Sequence, residues 1–126
     1  MHTQSRIKAA YESSKNYPGL VKKLIEAGVQ SYTVDIATSA ILYRLSDGEN
    51  ILHTEMHPPR EIVIPFNEQE TIQAIRENQQ GKSDYPGFMN AIAKAGVRFY
   101  EATLNGNNKR VTYVGTGGSY EETIPV

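Results

Sequence analysis

Asn16-Tyr17-Pro18-Gly19-Leu20 returns as Asp84-Tyr85-Pro86-Gly87-Phe88, 68 positions on (16 to 84). The same offset carries Ala27-Gly28-Val29 onto Ala95-Gly96-Val97 and Tyr32 onto Tyr100. Upstream it carries Thr3 and Ile7 onto Thr71 and Ile75. Past the next turn the offset grows by two, so that Tyr43 meets Tyr113, and at the end Ile64-Pro65-Phe66 meets Ile124-Pro125-Val126. Matches in this order predict an internal duplication, a stronger signal than any single motif. One domain over 1–126 is expected, built from repeats 3–66 and 71–126.

Each repeat reads as helix, helix, strand, strand, strand. Ile7, Ala10, Tyr11 and Ser14 follow the i, i+3, i+4, i+7 spacing of one helical face. The matching helix opens at Asn67 with Glu70 three residues on, the pattern of a capping box, carries Ile72 and Ile75 inward and stops near Gly81. The second helix of each repeat opens after Asn16 or Asp84, whose short polar side chains can accept first-turn N–H groups. Pro18 and Pro86 are tolerated there because those N–H groups have no intrahelical partner to lose. Leu20, Val21, Leu24 and Ile25 form the expected buried stripe. Gly28 and Gly96 fall where a helix ends in a left-handed residue, a conformation cheap only for glycine.

Alternation then takes over. Tyr32, Val34 and Ile36 share one strand face, as do Tyr100, Ala102 and Leu104. Thr38-Ser39 and Gly106-Asn107-Asn108 are turn material, and returning strands hold Ile41-Leu42-Tyr43 and Val111 to Val114. Third strands are expected at Glu61 to Ile64 and Glu121 to Ile124. A half of about 60 residues has too little core to stand alone. The halves should therefore share one core, with strands pairing across a pseudo-two-fold axis. The fold class is α+β, a two-layer domain with a mostly antiparallel sheet.

Composition narrows the function classes. With 13 Lys and Arg against 14 Asp and Glu the net charge is −1, so there is no basic face for nucleic acid. Zero cysteines exclude a disulfide scaffold, a thiolate zinc site and a cysteine nucleophile. No apolar run approaches the ~18 residues of a membrane span, and Met1 to Ser14 lacks the apolar core of a secretory signal. A cytoplasmic protein without membrane or nucleic-acid partners is the expectation.

Candidate chemistry gathers where the repeats differ. From Tyr43 to Ile64 is 21 positions, from Tyr113 to Ile124 only 11, so about ten extra residues fall within Leu45 to Arg60. They include His53-Thr54-Glu55-Met56-His57. In an extended segment His53, Glu55 and His57 point to one side and could bind Zn²⁺, Fe²⁺ or Mn²⁺ with positions left for water. The competing reading is two exposed loop histidines beside Pro58-Pro59. Tyr32, Tyr43, Tyr100 and Tyr113 are related by the repeat. They are read first as packing residues and alternatively as the walls of a small-ligand groove between the halves. Gly115-x-Gly117-Gly118 opens no helix and has no P-loop lysine, so it reads as a hairpin turn. Lys22-Lys23 is a solvated helix face. No G-x-S-x-G elbow is present, and nothing pairs the strand acids Asp35 and Glu101.

The segment Gln79-Gln80-Gly81-Lys82-Ser83-Asp84-Tyr85-Pro86-Gly87-Phe88, then Ala95-Gly96-Val97 and Glu121-Glu122-Thr123-Ile124-Pro125, resembles the bacterial DUF1398 family. So does Ile7-Lys8-Ala9-Ala10. Some members carry the label "phage envelope protein", which implies an origin in phage or prophage and no mechanism. Relatives often hold a cysteine where Met89 stands here, and Tyr100 occupies an aromatic site. The family brings no agreed catalytic residues.

The expected function is a non-catalytic module for a small ligand or protein partner, without a cofactor and with unpaired outer strands that invite homodimer formation. The alternative is a small metal-dependent enzyme using a divalent cation at His53, Glu55 and His57. A third is a phage-associated interaction protein with an exposed apolar patch around Met56 and Pro58-Pro59.

Overall fold

Helix-ending glycines and capping side chains cut the chain into its elements. The computed structural model describes residues 6–10 and 17–124. Residues 6–10 are helical (α1), followed by α2 (Tyr17–Glu26), β1 (Val29–Asp35), β2 (Ile41–Leu45) and β3 (Asn50–His53). The second half holds α3 (Glu68–Gln79), α4 (Tyr85–Lys94), β4 (Val97–Thr103), β5 (Arg110–Gly115) and β6 (Gly118–Thr123). Thr3, Tyr11, Ser14, Asn16, Pro125 and Val126, all used above, lie outside the described residues, as do the side chains of Tyr17 and Pro18.

Local chemistry explains the helix ends. The Asp84 carboxylate accepts the N–H of Gly87 at 2.9 Å, capping α4, and Pro86 sits in the first turn. α2 and α4 stop alike. The N–H of Gly28 donates to Ile25 and that of Gly96 to Ala93, and both glycines have φ +94°. Asn67 caps α3 by accepting the N–H of Glu70 at 2.9 Å. The capping box is only half made, because the N–H of Asn67 donates instead to the carbonyl of Ala95 at 2.8 Å. That bond ties the start of α3 to the end of α4.

Two helical stripes are rotated from expectation. In α3 the buried residues are Thr71, Ala74 and Ile75, with Ile72 half-buried. The Thr71 hydroxyl donates to the Asn67 carbonyl at 2.8 Å, which lets a polar side chain be fully buried at no hydrogen-bonding cost. In α2 Val21 and Leu24 are buried, as is Ala27 just after it, while Ile25 is 37% exposed.

The six strands form one antiparallel sheet, ordered β3-β2-β1-β4-β5-β6. At its centre Tyr32 pairs with Ala102, Thr33 with Glu101 and Val34 with Tyr100. Exchanging each residue for the one 68 positions away leaves this register unchanged. The flanking pairs match too: Tyr32 with Tyr43 and Tyr100 with Tyr113, each after an irregularity at the strand start, Val29/Ser31 and Val97/Phe99. The helices bury one sheet face. Tyr32, Val34, Ile36, Tyr100, Ala102 and Leu104 join Val21, Leu24, Met89 and Ile92 in a single core. Burying one such aliphatic or aromatic side chain stabilises by about 1.5–3 kcal/mol. Met89 is fully buried in it.

The third strand of the first half is not where alternation places it. Residues 61–64 carry no strand, and β3 is Asn50–His53, paired with β2 through Ile41–His53 and Arg44–Asn50. A tight turn with Gly48 at φ +90° and the Asp47 carboxylate accepting the N–H of Glu49 joins the two strands. The shorter loop wins because it closes a hairpin at low entropic cost. The extra residues therefore lie after β3, in a linker that crosses to the other half. There the N–H groups of Arg60, Val63 and Phe66 donate to the carbonyls of Ala37, Ala93 and Thr116.

Candidate functional site

β3 ends at His53, and the period of two that would align His53, Glu55 and His57 ends with it. His53 and Glu55 do meet, Nε2 to Oε2 at 3.3 Å, with both side chains half exposed. His57 turns elsewhere. Its Nδ1 lies 2.8 Å from the carbonyl of Pro58, which can only accept, so the proton is on Nδ1. Nε2 is buried and has no hydrogen-bond partner among the described residues. Among the described residues no group of three or more His, Cys, Asp or Glu side chains is placed to hold a metal ion. The structure brings together two of the three nominated ligands.

Arg60 anchors the linker. Its Nε donates to Asn90 Oδ1 at 2.7 Å, and its Nη1 to Ser39 Oγ at 2.7 Å and to the Ile36 carbonyl at 3.1 Å. Ser39 presents its hydroxyl from a left-handed conformation, φ +64°. Asp35 holds that turn by accepting the hydroxyl and N–H of Thr38 at 2.6 and 3.2 Å. The Asp35 carboxylate is thus committed to the turn, while Glu101 is exposed on the open sheet face.

Tyr32, Tyr43, Tyr100 and Tyr113 are core residues, 2–7% exposed. Tyr32 and Tyr43 have ring centroids 5.7 Å apart, Tyr100 and Tyr113 5.3 Å, and Phe88 meets Tyr100 edge-on at 6.4 Å. Such pairs at adjacent strand positions are cross-strand packing. Tyr85, at the start of α4, is half-exposed and hydrogen-bonds Tyr100. Burial of its hydroxyl raises its pKa above the ordinary phenol value, and the nearby Glu55 charge adds to the rise. The Tyr100 hydrogen bond and the Arg60 charge oppose it. The residues 115–118 form the β5–β6 hairpin turn, as expected, with Gly117 at φ +87°.

An open surface depression of about 340 Å³ lies beside Gly28, at the end of the sheet where α2 meets β1, and another of about 360 Å³ is lined by Arg6, Lys23 and Glu26 between α1 and α2. In the first, Ile25, Val29 and Leu104 supply apolar walls, and Ser46 and Asn105 supply polar ones. A methyl group added to Gly28 would find nothing nearer than Ser46 Oγ at 3.9 Å. Nothing in the sequence reading nominated these residues. The signal available was a difference between the repeats: Leu45 pairs with Val29 where Gly115 pairs with Val97.

Together these features define a two-layer α+β protein with one sheet face covered by helices and a small apolar depression at the sheet's end. The chain belongs to the DUF1398 family, described as a protein of unknown function, whose sequence model matches residues 5–120. No curated protein matches it. Among the described residues no helix is long and apolar enough to cross a membrane.

Proposed function

We propose that this protein is a non-catalytic binding module whose ligand site is the depression beside Gly28. The observation that carries this is the chemistry of its walls. Ile25, Val29 and Leu104 offer apolar surface, Gln30, Ser46 and Asn105 offer hydrogen bonds, and none of the lining side chains is titratable. Its 340 Å³ falls within the range of about 300–1,000 Å³ common for small-ligand pockets. Catalysis of acid–base type needs a titratable group within reach of the reacting atoms, and these walls hold only binding groups. The proposal also takes the two halves as copies of one unit, a reading supported by the shared register and the shared helix-ending glycines.

A fragment screen on ¹⁵N-labelled protein tests the site. Small apolar fragments bearing one hydrogen-bonding group are expected to shift the amides of Gly28, Val29, Ser46 and Leu104 in a saturable way. If no fragment shifts those amides at millimolar concentration, or the shifts gather elsewhere, the proposed site is wrong.

A further inference from the structure

We propose that β3 is a self-pairing edge: two copies of this chain join there, antiparallel and about a two-fold axis at Ile51, into one continuous sheet. The proposal goes beyond the ligand site and does not rest on it. Among the described residues β3 and β6 are the outer strands of the sheet. They are guarded differently. β6 carries Glu121 and Glu122, which self-pairing would bring close to their own copies, and such like charges protect an edge. Asn50-Ile51-Leu52-His53 holds no Lys, Arg, Asp or Glu. Every residue from 46 to 56 except Ile51 is exposed, Leu52 to 62%. These exposures leave the outer side of β3 accessible.

The ladder decides which backbone groups face outward. The N–H of Leu45 donates to the Glu49 carbonyl at 2.8 Å, so these two residues are a hydrogen-bonded pair of the β2–β3 hairpin. Such pairs alternate along an antiparallel ladder. Tyr43–Ile51 and Ile41–His53 therefore bond to each other, while Asn50 and Leu52 turn their N–H and C=O groups away from β2. Two-fold pairing of antiparallel strands sets outward groups against outward groups, which leaves two registers that oppose most of β3. With Ile51 on the axis, Asn50 exchanges two bonds with Leu52 of the second copy and Leu52 two with its Asn50, four in all. With Leu52 on the axis, β3 itself supplies only the two bonds between the leucines. The first register makes fuller use of the strand.

The side chains agree with it. Ile51 packs against the core from the helix-covered face and meets its own copy on the axis. On the open face Leu52 pairs with Leu42 of β2, and its copy lies on the diagonal, about 7–8 Å away and within reach of a leucine side chain. The exposed leucine is thereby covered. His53 faces Glu49 of the second copy, an opposition that can hydrogen-bond. Both helix layers come to lie on the same side of the joined sheet.

The test uses the 126-residue chain, which has no cysteine, so single cysteines report the register. With Ile51 on the axis its two copies have Cα atoms about 4.5 Å apart, within disulfide range, while the two Leu52 positions, about 7–8 Å apart, lie outside it. Under mild oxidation Ile51→Cys is expected to form a disulfide-linked dimer at least about tenfold faster than Leu52→Cys. In sedimentation equilibrium wild type is expected to rise above the 14.0 kDa of one chain by about 1 mM, as a small interface requires. Leu52→Pro deletes an outward N–H that β2 does not use and should weaken association at least about tenfold. Leu52→Lys, run beside it, places an edge lysine at the same exposed position with no change of backbone. A wild type that stays at 14.0 kDa up to about 1 mM overturns the proposal. So does association undiminished in both Leu52 variants, absence of cross-linking through Ile51→Cys, or cross-linking of Leu52→Cys at an equal or greater rate.

Discussion

Replacing Gly28 and Gly96 by alanine, one at a time, compares two positions with the same backbone and different surroundings. Both glycines have φ +94°, so each variant carries the cost of a left-handed L-residue, roughly 1–2 kcal/mol, reduced by the lower entropy of the unfolded chain. For Gly28→Ala that is nearly the whole effect, about 1 kcal/mol net, because the new methyl meets nothing closer than 3.9 Å. Gly96→Ala must also push aside backbone at 2.7 and 2.8 Å. That backbone is pinned by the N–H bonds of Val63 and Phe66, each worth about 1 kcal/mol, and overpacking typically costs a further 1–3 kcal/mol. The total for Gly96→Ala is about 3–4 kcal/mol. Urea unfolding followed by circular dichroism reads both values. At about 4 °C per kcal/mol for a domain of this size, melting points should fall by about 4 °C and by more than about 10 °C. If the two variants agree within about 0.5 kcal/mol, the linker does not bear on Gly96.

Two further outcomes follow from the site geometry. The raised pKa of Tyr85 means that the folded state keeps the phenol proton above pH 10 while the unfolded state loses it. Its contribution is constant below pH 10 and falls as pH rises beyond that, because the unfolded state then binds fewer protons. Tyr85→Phe should therefore show a shallower alkaline loss of stability than wild type in urea melts at pH 9 to 11; parallel profiles would contradict this. For the histidine pair, zinc, manganese and iron(II) should raise the melting temperature of metal-stripped wild type no more than that of His53→Ala, since His57 is turned to Pro58. A shift of several degrees confined to wild type would instead mean that the linker rearranges to complete a metal site.

Much of the fold was legible because its signals are local. Asp84 and Asn67 cap the helices they precede, Gly28 and Gly96 end theirs, and the alternation at Tyr32, Val34 and Ile36 names the buried sheet face. The third strand failed for a different reason. Residues 61–64 were expected to be the strand, and hairpin closure after Gly48 gives β2 to the nearer segment, residues 50–53. Ile72 and Ile25 misled because a stripe drawn from hydrophobicity alone ignores how a helix end is tied, here by the bond from Asn67 to Ala95 for α3. The candidate site was the least legible part. His53, Glu55 and His57 were nominated by spacing, and spacing aligns side chains only while a strand continues.

What the sequence determined by itself is the class of fold: an α+β chain with a shared core and an antiparallel sheet, carried by period, caps and glycines that act within a few residues. What only the tertiary structure decided is where the linker docks. The linker lies over Gly96, where a Cβ would meet Phe66 and Val63 backbone, while at Gly28 a Cβ would meet nothing nearer than Ser46 Oγ at 3.9 Å. That choice depends on carbonyls of Ala37, Ala93 and Thr116, contributed from three separate parts of the chain, and no local pattern brings them together.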